Sequence, residues 1–150
     1  MRTLILGIGN PILRDDGVGV HVARRLQREL NNYKDIREEF TAGLDILELA
    51  KNYDKVVIID AIKTRNGRVG SIYKLSLEDI PTIHGVSPHD VSLAQAFEVG
   101  RKIMGRIPEV VIYAIEVEDV TTFDEECTDE VKRAIPRVVE LIKKELDEST

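Results

Sequence analysis

The stretch Val56-Val57-Ile58-Ile59, followed directly by Asp60, decides the fold class of this chain. Four consecutive β-branched apolar residues predict a strand buried on both faces, which is typical of a central strand in a parallel sheet. On both sides of this strand, short apolar runs alternate with segments whose apolar residues recur every three to four positions. This alternation of strand and helix patterns predicts an α/β domain.

The alternating patterns predict one domain over residues 1–150. We expect a three-layer sandwich: a five-stranded, mostly parallel, twisted sheet with helices on both faces. The fourth strand follows the third closely, so it should be an antiparallel or edge neighbour rather than another parallel crossover. The predicted strands cover 3–6, 36–40, 56–59, 69–75 and 110–117, and the predicted helices cover about 18–30, 44–50, 88–104 and 128–146, with a loop over 77–86.

The composition excludes several classes of protein. Of the 150 residues, 43% are apolar and 32% charged, which excludes intrinsic disorder, and 21 basic against 27 acidic residues give a net charge of −6. This balance argues against a nucleic-acid partner, which requires clustered Lys and Arg. Cys127 is the only cysteine, so neither an internal disulfide nor a cysteine zinc cluster can form. Because no signal peptide and no membrane-spanning run is recognisable, we expect a soluble cytoplasmic protein without a membrane partner.

Three residues with metal-binding side chains are expected at one edge of the sheet. Asp16 comes after the first strand, Asp60 ends the central strand, and His89 lies in the first turn of a helix. Ligands bind beyond the carboxyl ends of the strands in such sheets. The helix dipole keeps the His89 imidazole neutral and able to bind a metal. Two carboxylates and one imidazole suit nickel, zinc, manganese or cobalt, with positions left open for water or substrate.

Each of these residues also has a purely structural interpretation. Asp15 and Asp16 stand together at a helix start, where one carboxylate serves as a cap, but a cap requires only one of them. Asp60 can cap the next turn. His89, taken alone, would more often have a structural role than bind a metal. A phosphate-binding loop is disfavoured, because a Gly-x-Gly-x-x-Gly match requires glycine at position 12, which is Ile12.

Five motifs resemble, in order and spacing, those of the hydrogenase maturation proteases: Gly-Ile-Gly-Asn at 7–10, Asp-Asp-Gly-Val-Gly at 15–19, Thr41-Ala42-Gly43, Asp60-Ala61-Ile62 and Ser87-Pro88-His89. The resemblance covers nearly the whole chain and implies a phosphorylase/hydrolase-like α/β fold. It implies a cytoplasmic endopeptidase that removes a short C-terminal extension from the large-subunit precursor of a [NiFe] hydrogenase. Cleavage would follow nickel insertion, with nickel as the recognition signal.

The resemblance also assigns residues to the metal site. By motif position, the family's metal-binding acid falls on Asp16, its second carboxylate on Asp60 and its imidazole on His89. Nickel is then delivered by the substrate, and zinc or cadmium is able to replace it in vitro. Some relatives carry Glu at the position of Asp16, so the reach of that ligand is shorter here.

Our hypothesis for the mechanism is that Asp16, Asp60 and His89 hold the nickel of the immature subunit near the scissile bond. A water polarised by the metal or by a carboxylate then attacks the peptide carbonyl. The metal is either catalytic or only a recognition handle, and either aspartate is able to act as the base of an aspartic-type protease.

Neighbouring loops carry Asn10, Thr41 and Gly43, which we expect to shape the substrate cleft. Gly43 would allow close approach of the substrate backbone. The alternative for each of the three is a turn-forming role without substrate contact.

Two other functions fit parts of the sequence. Peptidyl-tRNA hydrolases also begin with Gly-x-Gly-Asn-Pro and share this architecture, and His21 superficially fits them. The chain lacks their Thr-Arg-His-Asn run, and its net charge is unfavourable for a tRNA substrate. The non-enzyme alternative is a nucleotide-binding or regulatory α/β module, in which Gly7 and Gly9 approach a ligand and His89 has no role.

Two further groups are not expected to act in catalysis. Glu116, Glu118 and Asp119 follow the last strand and should be solvated loop charges, or else contacts for basic substrate residues. Cys127 follows three acidic residues, so a nucleophilic thiolate is disfavoured there.

Overall fold

The computed structural model describes residues 1–40, 43–82 and 88–148, with side chains described throughout except at 80–82 and 88–92. The described residues form a sheet from β1 (Thr3–Ile8), β2 (Ile36–Glu39), β3 (Lys55–Ile62), β4 (Ile72–Leu75) and β5 (Glu109–Glu116). The strand order is β2-β1-β3-β5-β4. All neighbours are parallel except β4, which pairs antiparallel with β5 at the edge. The predicted five-stranded, mostly parallel sheet is therefore confirmed, including its antiparallel fourth strand.

Helices cover both faces of the sheet: α1 (Val18–Glu29), α2 (Leu44–Ala50), α3 (Pro88–Met104) and α4 (Asp129–Glu148). α1 and α4 pack on one face around Val22 and Val138, and α2 and α3 pack on the other around Ile46 and Phe97. The three-layer arrangement is thus confirmed. Within the described part of the chain, no helix is long and apolar enough to cross a membrane.

The central strand is longer than predicted. We expected it to end at Ile59 with Asp60 directly after it, but β3 continues to Ile62. Its pairing with β1 ends at the Gly7–Ile59 pair, whereas its pairing with β5 continues through Asp60 to Ile62. Asp60 therefore lies inside β3, one residue beyond the last pair with β1.

The predicted loop over 77–86 is wrong in its first half, because Leu77–Thr82 forms a 3₁₀ helix. The Asp79 carboxylate accepts hydrogen bonds from the Ser76 N–H at 2.8 Å and the Ser76 hydroxyl at 3.1 Å. This Ser-x-x-Asp arrangement is a helix-start signature that the sequence analysis missed. Residues 83–86 of the predicted loop lie outside the described residues.

Two glycines bring the start of α1 against the sheet edge. A Cβ on Gly19 would lie 2.2 Å from the carbonyl oxygen of Ile59 and 2.7 Å from that of Ile8. A Cβ on Gly7 would lie 2.3 Å from the Gly19 carbonyl oxygen. Only glycine permits such close approach. This contact fixes the turn that carries Asp16, three residues earlier, at the carboxyl ends of β1 and β3.

A buried carboxylate ties α4 to the other end of the sheet. Glu145 accepts hydrogen bonds from Lys55 at 2.5 Å, from Tyr113 at 2.6 Å and from Lys74 at 2.8 Å. Burial disfavours the charged form, but these donors outweigh it and lower the pKa of Glu145 to about 2. Because Lys55 begins β3, this network lies at the edge opposite Asp60.

Candidate active site

The candidate site lies where the order of the parallel strands reverses. The chain passes from β1 outward to β2 and then returns across β1 to β3 and β5. In α/β sheets, ligands bind beyond the carboxyl ends of the strands at such a reversal, which here means the ends of β1 and β3. Asp16 follows β1 and Asp60 lies in β3, so both predicted acids belong to the strands that flank this point.

Asp60 projects from β3 towards the face covered by α2 and α3. Its neighbours at alternate positions, Ile58 and Ile62, both pack in the core on that face. The Asp60 side chain is buried, and its Oδ1 accepts a hydrogen bond from the N–H of Ala61 at 2.8 Å. A carboxylate is thus held at the sheet edge, immediately beyond the end of β1.

Asp16 lies in a short 3₁₀ turn (Arg14–Gly17) between β1 and α1. Its Oδ2 accepts a hydrogen bond from the N–H of Asn10 at 2.9 Å, which fixes the carboxylate. The loop is folded tightly, since a Cβ on Gly9, whose φ is 144°, would lie 2.0 Å from the Asp16 carbonyl oxygen. Residues of this turn approach β3 with Cα atoms within 8 Å. The structure therefore brings the two aspartates onto adjoining elements.

Asp15, next to Asp16, has a different role. It is fully buried, and its carboxylate accepts hydrogen bonds from the N–H groups of Glu118 and Asp119 at 3.0 Å each. It also accepts the N–H of Thr128 at 2.7 Å and the Thr128 hydroxyl at 2.8 Å. Asp15 thus joins the Asp16 turn to the loop between β5 and α4. The sequence suggested a structural role for one of the two acids, but no local signal identified these distant partners.

His89 is the second residue of α3, which begins at Pro88 as predicted. The end of α3 is followed closely by β5, so the helix runs antiparallel to that strand and begins at the carboxyl edge of the sheet. α3 packs on the same face towards which Asp60 projects. The backbone position of His89 therefore agrees with the predicted site, while its side chain lies outside the described residues.

The predicted donor set suits a divalent ion by its chemistry. Two carboxylates on adjoining elements and an imidazole at a helix start provide oxygen and nitrogen ligands of the type that nickel and zinc accept. Among the side chains that the structure describes, no three His, Cys, Asp or Glu residues group together as a metal site. The side chain of His89, the predicted third ligand, is not among those described.

The predicted cleft residues have different surroundings. The Asn10 side-chain oxygen accepts a hydrogen bond from the N–H of Ile12 at 3.1 Å, so Asn10 forms a turn and also holds Asp16 through its backbone. Gly43 precedes α2, and among the described residues a Cβ there would meet nothing within 4 Å. Thr41 lies outside the described residues.

The glycine loop does not form a nucleotide cradle. A Cβ on Gly7 would strike α1, and one on Gly9 would strike the Asp16 turn. Both glycines therefore serve packing within the chain, and the nucleotide-module alternative loses the feature on which it rested.

Glu116 and Cys127 are both buried. The expectation that Glu116 is a solvated charge is wrong: it is buried and accepts hydrogen bonds from the Thr64 N–H at 2.8 Å, the Thr64 hydroxyl at 2.6 Å and the Tyr73 hydroxyl at 3.1 Å. These contacts close the connection between β3 and β4. Burial and the charge of Asp15 raise the pKa of Cys127 to about 12, so its thiol is not a nucleophile.

Comparisons with known proteins agree on one family. The chain matches the family model HycI, hydrogenase maturation protease, over residues 20–145. It is 33% identical to hydrogenase 2 maturation protease of Escherichia coli over 113 residues, which cover 73% of this chain and 68% of that protein. Its structure is similar to that of the hydrogenase-maturating endopeptidase HybD from E. coli, with a TM-score of 0.83 and 29% identity over 99% of this chain and 94% of that one. It is also similar to the [NiFe] hydrogenase maturation protease HybD from Thermococcus kodakarensis, with a TM-score of 0.75 and 26% identity over 96% and 98% of the two chains.

Proposed function

We propose a specific reaction for this chain, which belongs to the hydrogenase maturation protease family and is an endopeptidase. The chain removes a C-terminal extension from the large-subunit precursor of a [NiFe] hydrogenase after nickel has been inserted. The observation that carries the proposal is the placement of Asp16 and Asp60 on adjoining elements at the switch point of the sheet. The start of α3, with His89, lies at the same edge.

Nickel belongs to the substrate in this proposal. Asp16, Asp60 and His89 supply two carboxylates and an imidazole, which suit nickel and leave further coordination positions to ligands from the precursor. Zinc or cadmium accepts the same donors and would replace nickel in vitro. When bound, such an ion polarises a carbonyl or a water molecule. Precursors without the ion would lack this anchor, which explains why cleavage should wait for nickel insertion.

The two carboxylates differ in their access to solvent, and this difference supports different roles. Hydrolysis requires a group that takes a proton from the attacking water, and that group must reach the water. Asp16 is half-buried and is fixed by the Asn10 N–H, so it is both accessible and oriented. Asp60 is only 1% exposed, which makes it the weaker candidate for the group that takes this proton. The proton taken by Asp16 then passes to the leaving amine.

A processing assay tests the proposal. The substrate is the large-subunit precursor of a hydrogenase from the same organism, prepared with and without nickel, and intact mass follows the loss of a C-terminal peptide. We expect cleavage of the nickel-loaded form only. Asp16→Asn should slow cleavage by about 10²- to 10⁴-fold and should weaken, but not abolish, binding of the loaded precursor, because Asp60 and His89 still hold the nickel. Asp60→Asn should lose both binding and cleavage.

Glu98→Gln is the matched control, because Glu98 is an exposed carboxylate on the same helix as His89. It should retain wild-type cleavage. Cleavage of both precursor forms at equal rates would refute the nickel requirement but retain the endopeptidase. Full activity of Asp16→Asn would remove Asp16 from the reaction.

A further inference from the structure

Two large apolar side chains stand exposed beside the candidate site. Phe123 is 80% exposed and Ile12 is 47% exposed. Leu13 and Asp124 form a parallel bridge, and the Asp124 N–H donates to the Ile12 carbonyl at 3.0 Å. Residues one step earlier in this register lie opposite each other, so Ile12 and Phe123 are neighbours. This pair is called the apolar knob below.

The loop that carries Phe123 is held in place by buried and surface acceptors. The Asp119 carboxylate accepts the N–H groups of Thr121 and Thr122 at 3.0 Å each and the Thr122 hydroxyl at 2.6 Å. At the base of the same loop, the Asp15 carboxylate accepts hydrogen bonds from the N–H groups of Glu118 and Asp119. Phe123 is therefore presented on an ordered loop. An ordered loop loses little conformational entropy on binding, and exposed aromatic side chains are frequent anchors of protein interfaces.

The apolar knob adjoins the Asp16 turn, which distinguishes it from other exposed apolar residues. Phe40 and Leu44, which are 67% and 62% exposed, lie at the same end of the sheet but follow β2, its edge strand. Ile103 is 77% exposed, but it lies near the end of α3, at the opposite edge of the sheet, and scattered exposure of this kind is ordinary. Ile12 lies between β1 and the turn of Asp16, and Phe123 lies on the loop that Asp15 joins to that turn. A protein substrate bound at Asp16 therefore comes into contact with the apolar knob.

The charge around Phe123 specifies the partner surface. Residues 118–126 include five carboxylates and no Lys or Arg: Glu118, Asp119, Asp124, Glu125 and Glu126. Arg14 lies 3.6 Å from Asp119 and Lys132 lies 3.5 Å from Glu126, so these two cations reduce the acidic excess of the surface without cancelling it. A partner that fits this surface has an apolar pocket surrounded by basic side chains. A second copy of this chain is a poor fit, because two copies of the same acidic loop would repel each other and each chain carries a net charge of −6.

We propose that the apolar knob, Ile12 and Phe123, is a docking surface that inserts into an apolar, basic-rimmed pocket on the folded body of the precursor subunit. The contact lies outside the cleavage chemistry and rests on the proposed function, since the partner is the substrate of that function. It supplies affinity for the whole precursor, whereas Asp16, Asp60 and His89 act on the nickel centre and the scissile bond.

Phe123→Ser and the control Ile103→Ser test this proposal, because each removes one exposed apolar side chain. Steady-state cleavage of the nickel-loaded, full-length precursor gives KM and kcat, and titration of the same precursor onto the Asp16→Asn background gives Kd. Phe123→Ser should raise KM and Kd at least about tenfold with kcat unchanged. Ile103→Ser should change neither. Phe123→Leu should restore most of the affinity, and higher salt should raise the Kd of the wild type.

The outcomes separate this proposal from the proposed function. Wild-type KM and Kd in Phe123→Ser, or a loss confined to kcat, would overturn the docking surface while the endopeptidase stands. Wild-type binding without cleavage, lost in Phe123→Ser, would support the docking surface and refute the proposed reaction. Absence of both binding and cleavage in the wild type would refute both. A wild-type dimer that Phe123→Ser makes monomeric would overturn the proposal in favour of a second copy. Because Phe123 is exposed, Phe123→Ser should unfold at the same temperature as the wild type. Equal unfolding temperatures would exclude misfolding as the cause of a raised KM or Kd.

Discussion

Thr128→Val tests the buried carboxylate that joins the Asp16 turn to the start of α4. Asp15 accepts four hydrogen bonds, and Thr128 donates two of them, from its N–H and from its hydroxyl. Valine keeps the branched shape of the side chain and replaces the hydroxyl with a methyl group. A hydrogen bond to a charged group contributes about 1.5–3 kcal/mol, so the free energy of unfolding should fall by about that amount. For a chain of this length, Tm should fall by about 3–12 °C.

Urea unfolding at pH 7, followed by circular dichroism, measures this loss. Thr128→Ser keeps the hydroxyl and should cost less than about 1 kcal/mol, and Thr121→Val, at an exposed position on the same loop, should lie within about 0.5 kcal/mol of the wild type. A loss below about 0.5 kcal/mol for Thr128→Val would refute the reasoning. An equal loss in Thr128→Ser and Thr128→Val would show that packing, rather than the hydroxyl, holds this position.

Three other perturbations give distinct results. Gly19→Ala places a Cβ 2.2 Å from a backbone oxygen and should lower the free energy of unfolding by roughly 3 kcal/mol. Gly43→Ala should leave the free energy of unfolding unchanged, because a Cβ there meets nothing within 4 Å among the described residues. Equal stability of the two variants would contradict this packing. Glu145 has its pKa lowered from 4.5 to about 2, because hydrogen bonds from Lys55, a second lysine and a tyrosine outweigh its burial. Its carboxylate therefore contributes about 3 kcal/mol above pH 4.5, which is lost as the pH falls from 4.5 towards 2. Glu145→Gln should flatten the pH dependence of unfolding between pH 5 and 3, and an unchanged slope in urea titrations would count against this ion pair. Cys127, with a pKa raised to about 12 by burial, should react with a thiol reagent at pH 8 at least about 10³-fold more slowly in the native state than in urea, and rapid native labelling would disprove its burial.

Local patterns in the sequence predicted most of the secondary structure. The bounds of α2 and α3 agree with the apolar periodicity at 44–50 and 88–104, because amphipathic spacing and the Pro88 start are local features. The end of β3 was not predictable in the same way. Its last three residues are held by pairing with β5, about 50 residues later in the chain. The polar side chain of Asp60 interrupts the apolar run, so the local pattern predicts that the strand ends too early.

The candidate site was predicted in outline for a different reason. The carboxyl ends of parallel strands share one edge, so the sequence predicts that Asp16 and Asp60 lie near each other. The supporting contacts are long-range and left no local pattern. Asp15 finds its donors 103 to 113 residues later in the chain, and Glu116 finds its partners 43 and 52 residues earlier. Sequence spacing therefore predicted acids at this edge of the sheet but did not separate half-buried Asp16 from its fully buried neighbour Asp15.

The hydrogen bonds to Asp15 have a consequence for biosynthesis. On the ribosome, Asp15 emerges long before Thr128, which follows it by 113 residues. Until that later segment is made, the carboxylate lacks its donors, and burying it without them is costly. The turn that carries Asp16 therefore closes only when the start of α4 has been translated. In a nascent chain still attached to the ribosome, the Asp16 turn therefore stays open until synthesis is almost complete.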